Sequence, residues 1–228
     1  MGEPEARADT VAIMQPYFVP YAGYFRLLAA ADLFVIYDCV QFPRRGWVHR
    51  NRLPDAAGEL QWLTLPLAKA PRDAAIRDLV FRSDAAQAMA TEMRRFPLLA
   101  GDDLHGLLDA VRDVRGAPLD YIERLLALAA RALGLPWRVL RSSSLEIAAE
   151  LRGQDRILAI AQAVGARRYV NPPGGRELYQ HDRFAGAGVE LRFLTDYEGS
   201  YASILARLLQ EPAQAVADEI RANTRLIA

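Results

Sequence analysis

Between Asp38 and Asp55 the chain carries four arginines and a histidine, with no acidic residue among them, in the run Asp38-Cys39-Val40-Gln41-Phe42-Pro43-Arg44-Arg45-Gly46-Trp47-Val48-His49-Arg50-Asn51-Arg52. Guanidinium groups at 44, 45, 50 and 52 can grip a carboxylate or phosphate through paired N–H donors, and Trp47 offers a face for a planar or sugar ring. Asp38, where an apolar run ends and this loop opens, is the general-base candidate. His49 is the second group able to move a proton near neutral pH. The competing reading is a solvated loop with arginines paired elsewhere, and a turn or cap role for Asp38.

Three further segments carry polar groups where chemistry could be done. Met14-Gln15-Pro16-Tyr17-Phe18-Val19-Pro20-Tyr21-Ala22-Gly23-Tyr24-Phe25 places two prolines, a glycine and three tyrosines between a strand and a helix. Gln15 could read a ligand's polar edge, Tyr17 and Tyr21 could orient it, and Gly23 would let it approach the helix N-terminus. Ser142-Ser143-Ser144 could hold a phosphate through Ser143 or cap the next helix. Neither GxSxG nor SxxK surrounds them, so no serine nucleophile is expected. Tyr169-Val170-Asn171-Pro172-Pro173-Gly174-Gly175-Arg176-Glu177-Leu178-Tyr179 has paired glycines, Gly174 and Gly175, able to form an amide nest for an anion. Asn171 and Tyr179 would contact the ligand there. The segment is neither a Walker A loop nor a GxGxxG fingerprint.

These residues need elements to hold them. Apolar β-rich runs are expected at 11–15, 33–37, 60–67, 137–141, 168–170 and 189–194. Helices are expected at 21–31, 83–95 with Ser83 as N-cap, 102–114, 118–133, 155–164, 177–185, 200–210 and 212–223. Residues 40–54 read as irregular, and 1–10 as a disordered leader. Strands alternating with helices predict a three-layer α/β fold with a mainly parallel, Rossmann-like or HUP-like sheet and a helical insertion around 83–134. From residue 11 onward the chain reads as one domain. Ligands in such sheets bind beyond the strand C-termini, which selects the loops at 16–23, 142–144 and 171–175.

Composition narrows the classes. The chain has 228 residues with 28 basic and 28 acidic side chains, a formal net charge of zero. That disfavours an extended nucleic-acid surface or a membrane-surface binder, though it leaves room for a local patch. Lys69 is the only lysine, so 27 of the 28 basic residues are arginine, which a GC-rich genome explains without function. With one cysteine, Cys39, no disulfide forms within the chain and a cysteine zinc site is not expected. His49, His105 and His181 lie far apart, so no histidine-based metal site is expected either. The polar N-terminal stretch does not read as a signal peptide, and no run is long enough for a membrane span. A cytoplasmic location follows as an expectation.

Two resemblances add to this reading. Pro20 and Gly23 stand as in the PxHxGH turn of nucleotidylyltransferases. The histidines of that turn, which stabilise transferring phosphates, are here Ala22 and Tyr24, so the likeness speaks for the fold more than for adenylyl transfer. More broadly, the chain resembles the WbqC-like family. The likeness rests on IMQPYFVPYAGYFRLL at 13–28, FVIYDCVQFPRRGWVHRNRL at 34–53, LQWLTLPL at 60–67, RSSSL at 141–145, ARRYVNPPGGRELYQHDRF at 166–184, SILARLL at 203–209 and EIRANTRL at 219–226. Cys39 departs from the pattern, where an acidic residue would follow Asp38. Members often lie in bacterial gene clusters for O-antigen or other surface glycans, and some resemble tailoring enzymes.

The resemblance implies a biosynthetic context and not a reaction. The leading expectation, drawn from the residues above, is a transferase acting on a nucleotide-activated or phosphorylated sugar or amino-acid intermediate, by acyl or aminoacyl transfer. Nucleotidyl transfer on a HUP-like fold, or a non-catalytic scaffold in a biosynthetic complex, are the alternatives. The expected partner is a small anionic substrate, with a nucleotide or acyl donor as cosubstrate and no metal. A homodimer is left open.

Overall fold

The computed structural model describes residues 8–228. The leader expected over 1–10 falls mostly outside the described residues, but Ala8 is already buried and Thr10 is the first residue of a strand. The main sheet is built from β1 (Thr10–Met14), β2 (Leu33–Ile36), β5 (Val139–Arg141), β6 (Arg168–Asn171), β7 (Glu190–Leu194) and β8 (Leu226–Ile227) in the order β5-β2-β1-β6-β7-β8. All neighbours are parallel except the β7–β8 pair. A separate antiparallel hairpin joins β3 (Arg50–Pro54) to β4 (Leu60–Thr64).

Alternate strand residues face opposite cores, as the period of two requires. Val11, Ile13, Val35, Tyr169, Leu191 and Phe193 face the layer of α5 (Gly153–Ala163) and α6 (His181–Gly186). Ala12, Phe34, Ile36, Val170 and Leu194 face the layer of α1 (Arg26–Ala30), α7 (Ile204–Gln210) and α8 (Ala213–Asn223). This is the expected three-layer α/β fold. The inserted α2 (Ala85–Met93), α3 (Leu107–Arg112) and α4 (Pro118–Ala132) share the second core, and α2 packs on β4. Gly134 and Gly165 follow α4 and α5 with positive φ, the left-handed exit that glycine permits.

Several local expectations change. Residues 50–54 form β3, because register with β4 pairs them in a way that Arg-Asn-Arg-Leu-Pro does not advertise. Asp84, not Ser83, occupies the N-cap position of α2, and no side chain bonds there. The helix expected at 21–31 begins as a 3-10 turn, Ala22–Phe25, before α1. The helix expected at 177–185 is a 3-10 stretch, Pro173–Leu178, then α6.

Candidate functional site

In this strand order the chain runs from β1 outward to β2 and β5 on one side, then crosses back to β6 on the other side of β1, so the order reverses between β1 and β6. Loops that exit neighbouring strands on opposite sides part at that point and leave a crevice. The crevice is a cleft of about 410 Å3 lined by Met14, Tyr17, Tyr21, Gly23, Tyr24, Arg26, Leu27, Trp47, Pro172, Pro173, Gly174, Leu194, Asp196, Tyr197 and Tyr201.

The loops at 16–23 and 171–175 meet here because β1 and β6 are neighbours. The serine turn does not, because β5 lies beyond β2. Of the residues selected from sequence, Tyr17, Tyr21, Gly23, Trp47 and Gly174 line the cleft. Pro16–Pro20 is fixed from outside. Asn51 Nδ2 donates to the carbonyls of Phe18 (3.1 Å) and Val19 (2.7 Å), and Ser203 Oγ donates to Val19 O at 2.7 Å. These bonds hold Val19 at φ 39°, a strained conformation for a β-branched residue. Gly23 is needed for space, since a Cβ there would collide with the Tyr21 ring and come 2.9 Å from Tyr197 Cγ.

Five tyrosines therefore gather around one cleft. Tyr21 stacks on Tyr201 with centroids 5.0 Å apart, Tyr197 is 5.4 Å from both, and Tyr17 is 5.4 Å from Tyr24. Burial holds the phenols of Tyr17, Tyr21, Tyr24 and Tyr197 above their usual pKa, so they remain protonated. Tyr197 donates to Glu219, which also pairs with Arg207 Nη1 at 2.7 Å. Burial pushes the Glu219 carboxyl up, but Arg207 and the Tyr197 hydroxyl pull it below its ordinary range. This network fixes the cleft wall formed by the loop after β7.

Arg26 lies against this wall with 1% of its surface exposed. Its Nη2 donates to Thr195 O at 2.7 Å, and its guanidinium carbon sits 5.6 Å from the Tyr197 ring centre. Burial pulls its pKa down, against the pull of the surrounding tyrosines and Asp196. Arg26, Asp196, Tyr197 and Tyr201 were not among the residues selected from sequence. The signal was present for the last three: the run Asp196-Tyr197-Glu198-Gly199-Ser200-Tyr201 leaves a strand C-terminus like the loops that were chosen. Arg26 gave none, because an arginine on a helix reads as solvated.

The other selected residues sit elsewhere. Asp38 is fully buried, accepting from Ser142 Oγ (2.7 Å), Ser143 N (2.9 Å) and Ser143 Oγ (2.5 Å). It binds the end of β2 to the turn after β5. Asn51 is the loop clamp described above. Asn171 is buried against Gly175, where a Cβ would strike its amide, and Tyr179 packs with Tyr169 and Phe184 on the opposite sheet face. The Gln15 side chain is outside the cleft lining, and its carbonyl accepts from Tyr24 at 2.9 Å. Arg44 donates to Ala70 O at 2.9 Å and Arg50 to Arg45 O at 2.8 Å. Among the described residues no carboxylate pairs with Arg44, Arg45, Arg50 or Arg52. Arg50 and Arg52 lie 4.1 and 4.7 Å from the Trp62 ring centre, and Trp62 is 5.3 Å from Trp47. The guanidiniums of Arg50 and Arg52 thus stand one aromatic ring beyond Trp47 in the cleft lining.

His49 packs edge-on against Phe42 with its Nδ1 buried and unbonded. Burial, then the neighbouring Arg50 charge, lower its pKa to about 4. In the unfolded chain it would titrate near the ordinary value of 6.5. Between these two values the unfolded state holds more protons, so stability is expected to fall as pH drops through that window. Urea melts from pH 7 to 4 should show this slope in the wild type, reduced by about one proton in His49→Phe. Parallel curves for the two proteins would refute the assignment.

Among the described residues no helix is long and apolar enough to cross a membrane, and no group of three or more His, Cys, Asp or Glu side chains could hold a metal ion. No solved structure matches the chain. The uncharacterized protein Rv1507c of Mycobacterium tuberculosis is 30% identical over 202 residues, covering 83% of each chain. A model of the WbqC-like protein family matches residues 15–207, a span that includes every residue lining the cleft except Met14. On this match and that relative, the chain belongs to the WbqC-like protein family.

Proposed function

We propose that the chain is a cytoplasmic, transferase-type tailoring enzyme acting on a small, ring-bearing anionic intermediate. The intermediate is a nucleotide-activated or phosphorylated sugar or an amino-acid derivative, in surface-glycan or specialised-metabolite biosynthesis. The observation that carries the reading is the tyrosine-lined cleft at the point where the strand order reverses, between β1 and β6. A sugar ring would lie against Tyr21, Tyr201 and Trp47, whose ring faces, with the tyrosine hydroxyls and the indole N–H, suit its alternating apolar and polar surface. A phosphate would extend past Trp47 toward Arg50 and Arg52, which carry no carboxylate partner among the described residues.

Acyl or aminoacyl transfer from an acyl or nucleotide donor to a substrate amine is the reaction favoured. The amine nitrogen forms a bond to the acyl carbon, the donor's leaving group departs, and the amine proton passes to a base. Asp196 is the carboxylate lining the cleft and stands nearest that role, whereas Asp38 is enclosed by the serine turn. His49, with its lowered pKa, would accept a proton only weakly at neutral pH. Nucleotidyl transfer is less favoured, because Tyr24 stands where a phosphate-stabilising histidine would and its hydroxyl is bound to Gln15 O.

The test is incubation of the purified protein with amino-sugar nucleotides and acyl or aminoacyl donors, followed by mass spectrometry and thermal melts. Phosphorylated sugars should raise the melting temperature, Trp47→Ala should abolish the rise, and a donor should add its acyl mass to the amine. If no phosphorylated sugar shifts the melting temperature and no acyl product forms, the reading fails.

A further inference from the structure

Arg26 and Arg207 are the buried arginines among the described residues, at 1% and 5% exposure, and they are treated very differently by the fold. Arg207 is neutralised twice, by Glu211 at 2.5 Å and Glu219 at 2.7 Å. Among the described residues no carboxylate lies within ion-pair distance of Arg26. Its Nη2 donates to Thr195 O at 2.7 Å and Thr195 Oγ1 at 3.3 Å, and its Nε is buried without a partner. A guanidinium taken out of water without a counter-charge is costly unless the site is built to receive one. Arg26 also lines the cleft, beside the stacked Tyr21 and Tyr201.

We propose that Arg26 is the anchor for a carboxylate of the substrate, bound in the tyrosine cleft beneath the ring that Tyr21 and Tyr201 face. The proposal rests on the reading of this cleft as the substrate site, and names the anion it takes. Charge balance selects a carboxylate over a phosphate dianion. Among the described residues Arg26 is the one basic residue in the lining, and the lining carboxylate Asp196 is already paired with Arg176 at 3.9 Å. One planar monoanion neutralises one guanidinium and matches its fork of N–H donors, while a dianion would leave excess negative charge among neutral phenols. The ligand class is a small sugar acid or an amino-acid carboxylate.

The test titrates the purified chain with glucuronate and N-acetylglycine, with glucose 1-phosphate and methyl glucoside for comparison. Calorimetry gives affinities, and 1H–15N spectra follow the Arg26 Nε–H resonance, assigned by its loss in Arg26→Lys. Glucuronate or N-acetylglycine should bind and move that resonance, and Arg26→Met should weaken carboxylate binding about 10- to 100-fold. Should Arg26→Met fail to fold, the wild-type resonance alone decides. A carboxylate that binds without moving the Arg26 resonance, or equally well to Arg26→Met, overturns the proposal. Binding of glucose 1-phosphate but of neither carboxylate overturns it while leaving the substrate cleft standing. Binding of none of the probes overturns both.

Discussion

Asp38→Ala is expected to lower the unfolding free energy by about 3–5 kcal/mol, a large part of the ~5–15 kcal/mol typical of a folded domain. The carboxylate is fully buried and takes three hydrogen bonds from Ser142 and Ser143. Removing it strands those donors away from water, and each stranded donor costs about 1–3 kcal/mol. The effect should spread along the sheet, because Asp38 ties the end of β2 to the turn after its neighbour β5. Asp38→Asn should recover part of the loss, since it keeps the volume and one accepting oxygen but presents an amide NH2 donor where the second carboxylate oxygen accepted. Urea melts at pH 7 measure both. An Asp38→Ala protein within 1 kcal/mol of wild type would show that the carboxylate does not anchor the turn, and would return it to consideration as a catalytic base.

Asn51→Ala is expected to cost about 2–4 kcal/mol and to loosen the cleft wall without touching it. One amide holds the Phe18 and Val19 carbonyls, and Val19 is the one non-glycine residue with positive φ among the described residues. With the amide gone, Ser203 alone keeps Val19 O in place. The strain would then relax by moving residues 16–20, with Tyr17 and Tyr21 displaced. Hydrogen exchange should accelerate at the Phe18 amide, which donates to Trp47 O at 2.9 Å, and stay unchanged in α5. Uniform acceleration across the protein would indicate global destabilisation and not a clamp.

The fold was legible where burial imposes a period. The apolar runs of β1, β2, β6 and β7 and the amphipathic α4 and α5 fall close to their expected places. What was missed depends on partners distant in sequence. Arg50–Pro54 becomes a strand only through register with Leu60–Thr64, and Leu226–Ile227 only by pairing with Phe193 and Leu194. The candidate site was legible as topology: of the three loops chosen for leaving strand C-termini, two meet in the cleft. Strand order decides which two, and sequence does not display it. The arginine-rich loop was conspicuous in composition, yet its guanidiniums stand around Trp62 and Ala70, with Trp47 alone reaching the cleft. The least conspicuous arginine, Arg26, lies deepest.

The claim that the tyrosine cleft is the ligand site can be read from the tyrosines themselves. The chain has nine: Tyr17, Tyr21, Tyr24, Tyr197 and Tyr201 line the cleft, while Tyr37, Tyr121, Tyr169 and Tyr179 do not. The protein labelled with 3-fluorotyrosine, each resonance assigned by Tyr→Phe substitution, is titrated with glucose 1-phosphate and with glucuronate. Shifts confined to the cleft group, largest at the stacked Tyr21 and Tyr201, are the predicted result. Shifts at Tyr37 and Tyr179 with the cleft group unmoved, or no shift with either compound, would contradict it.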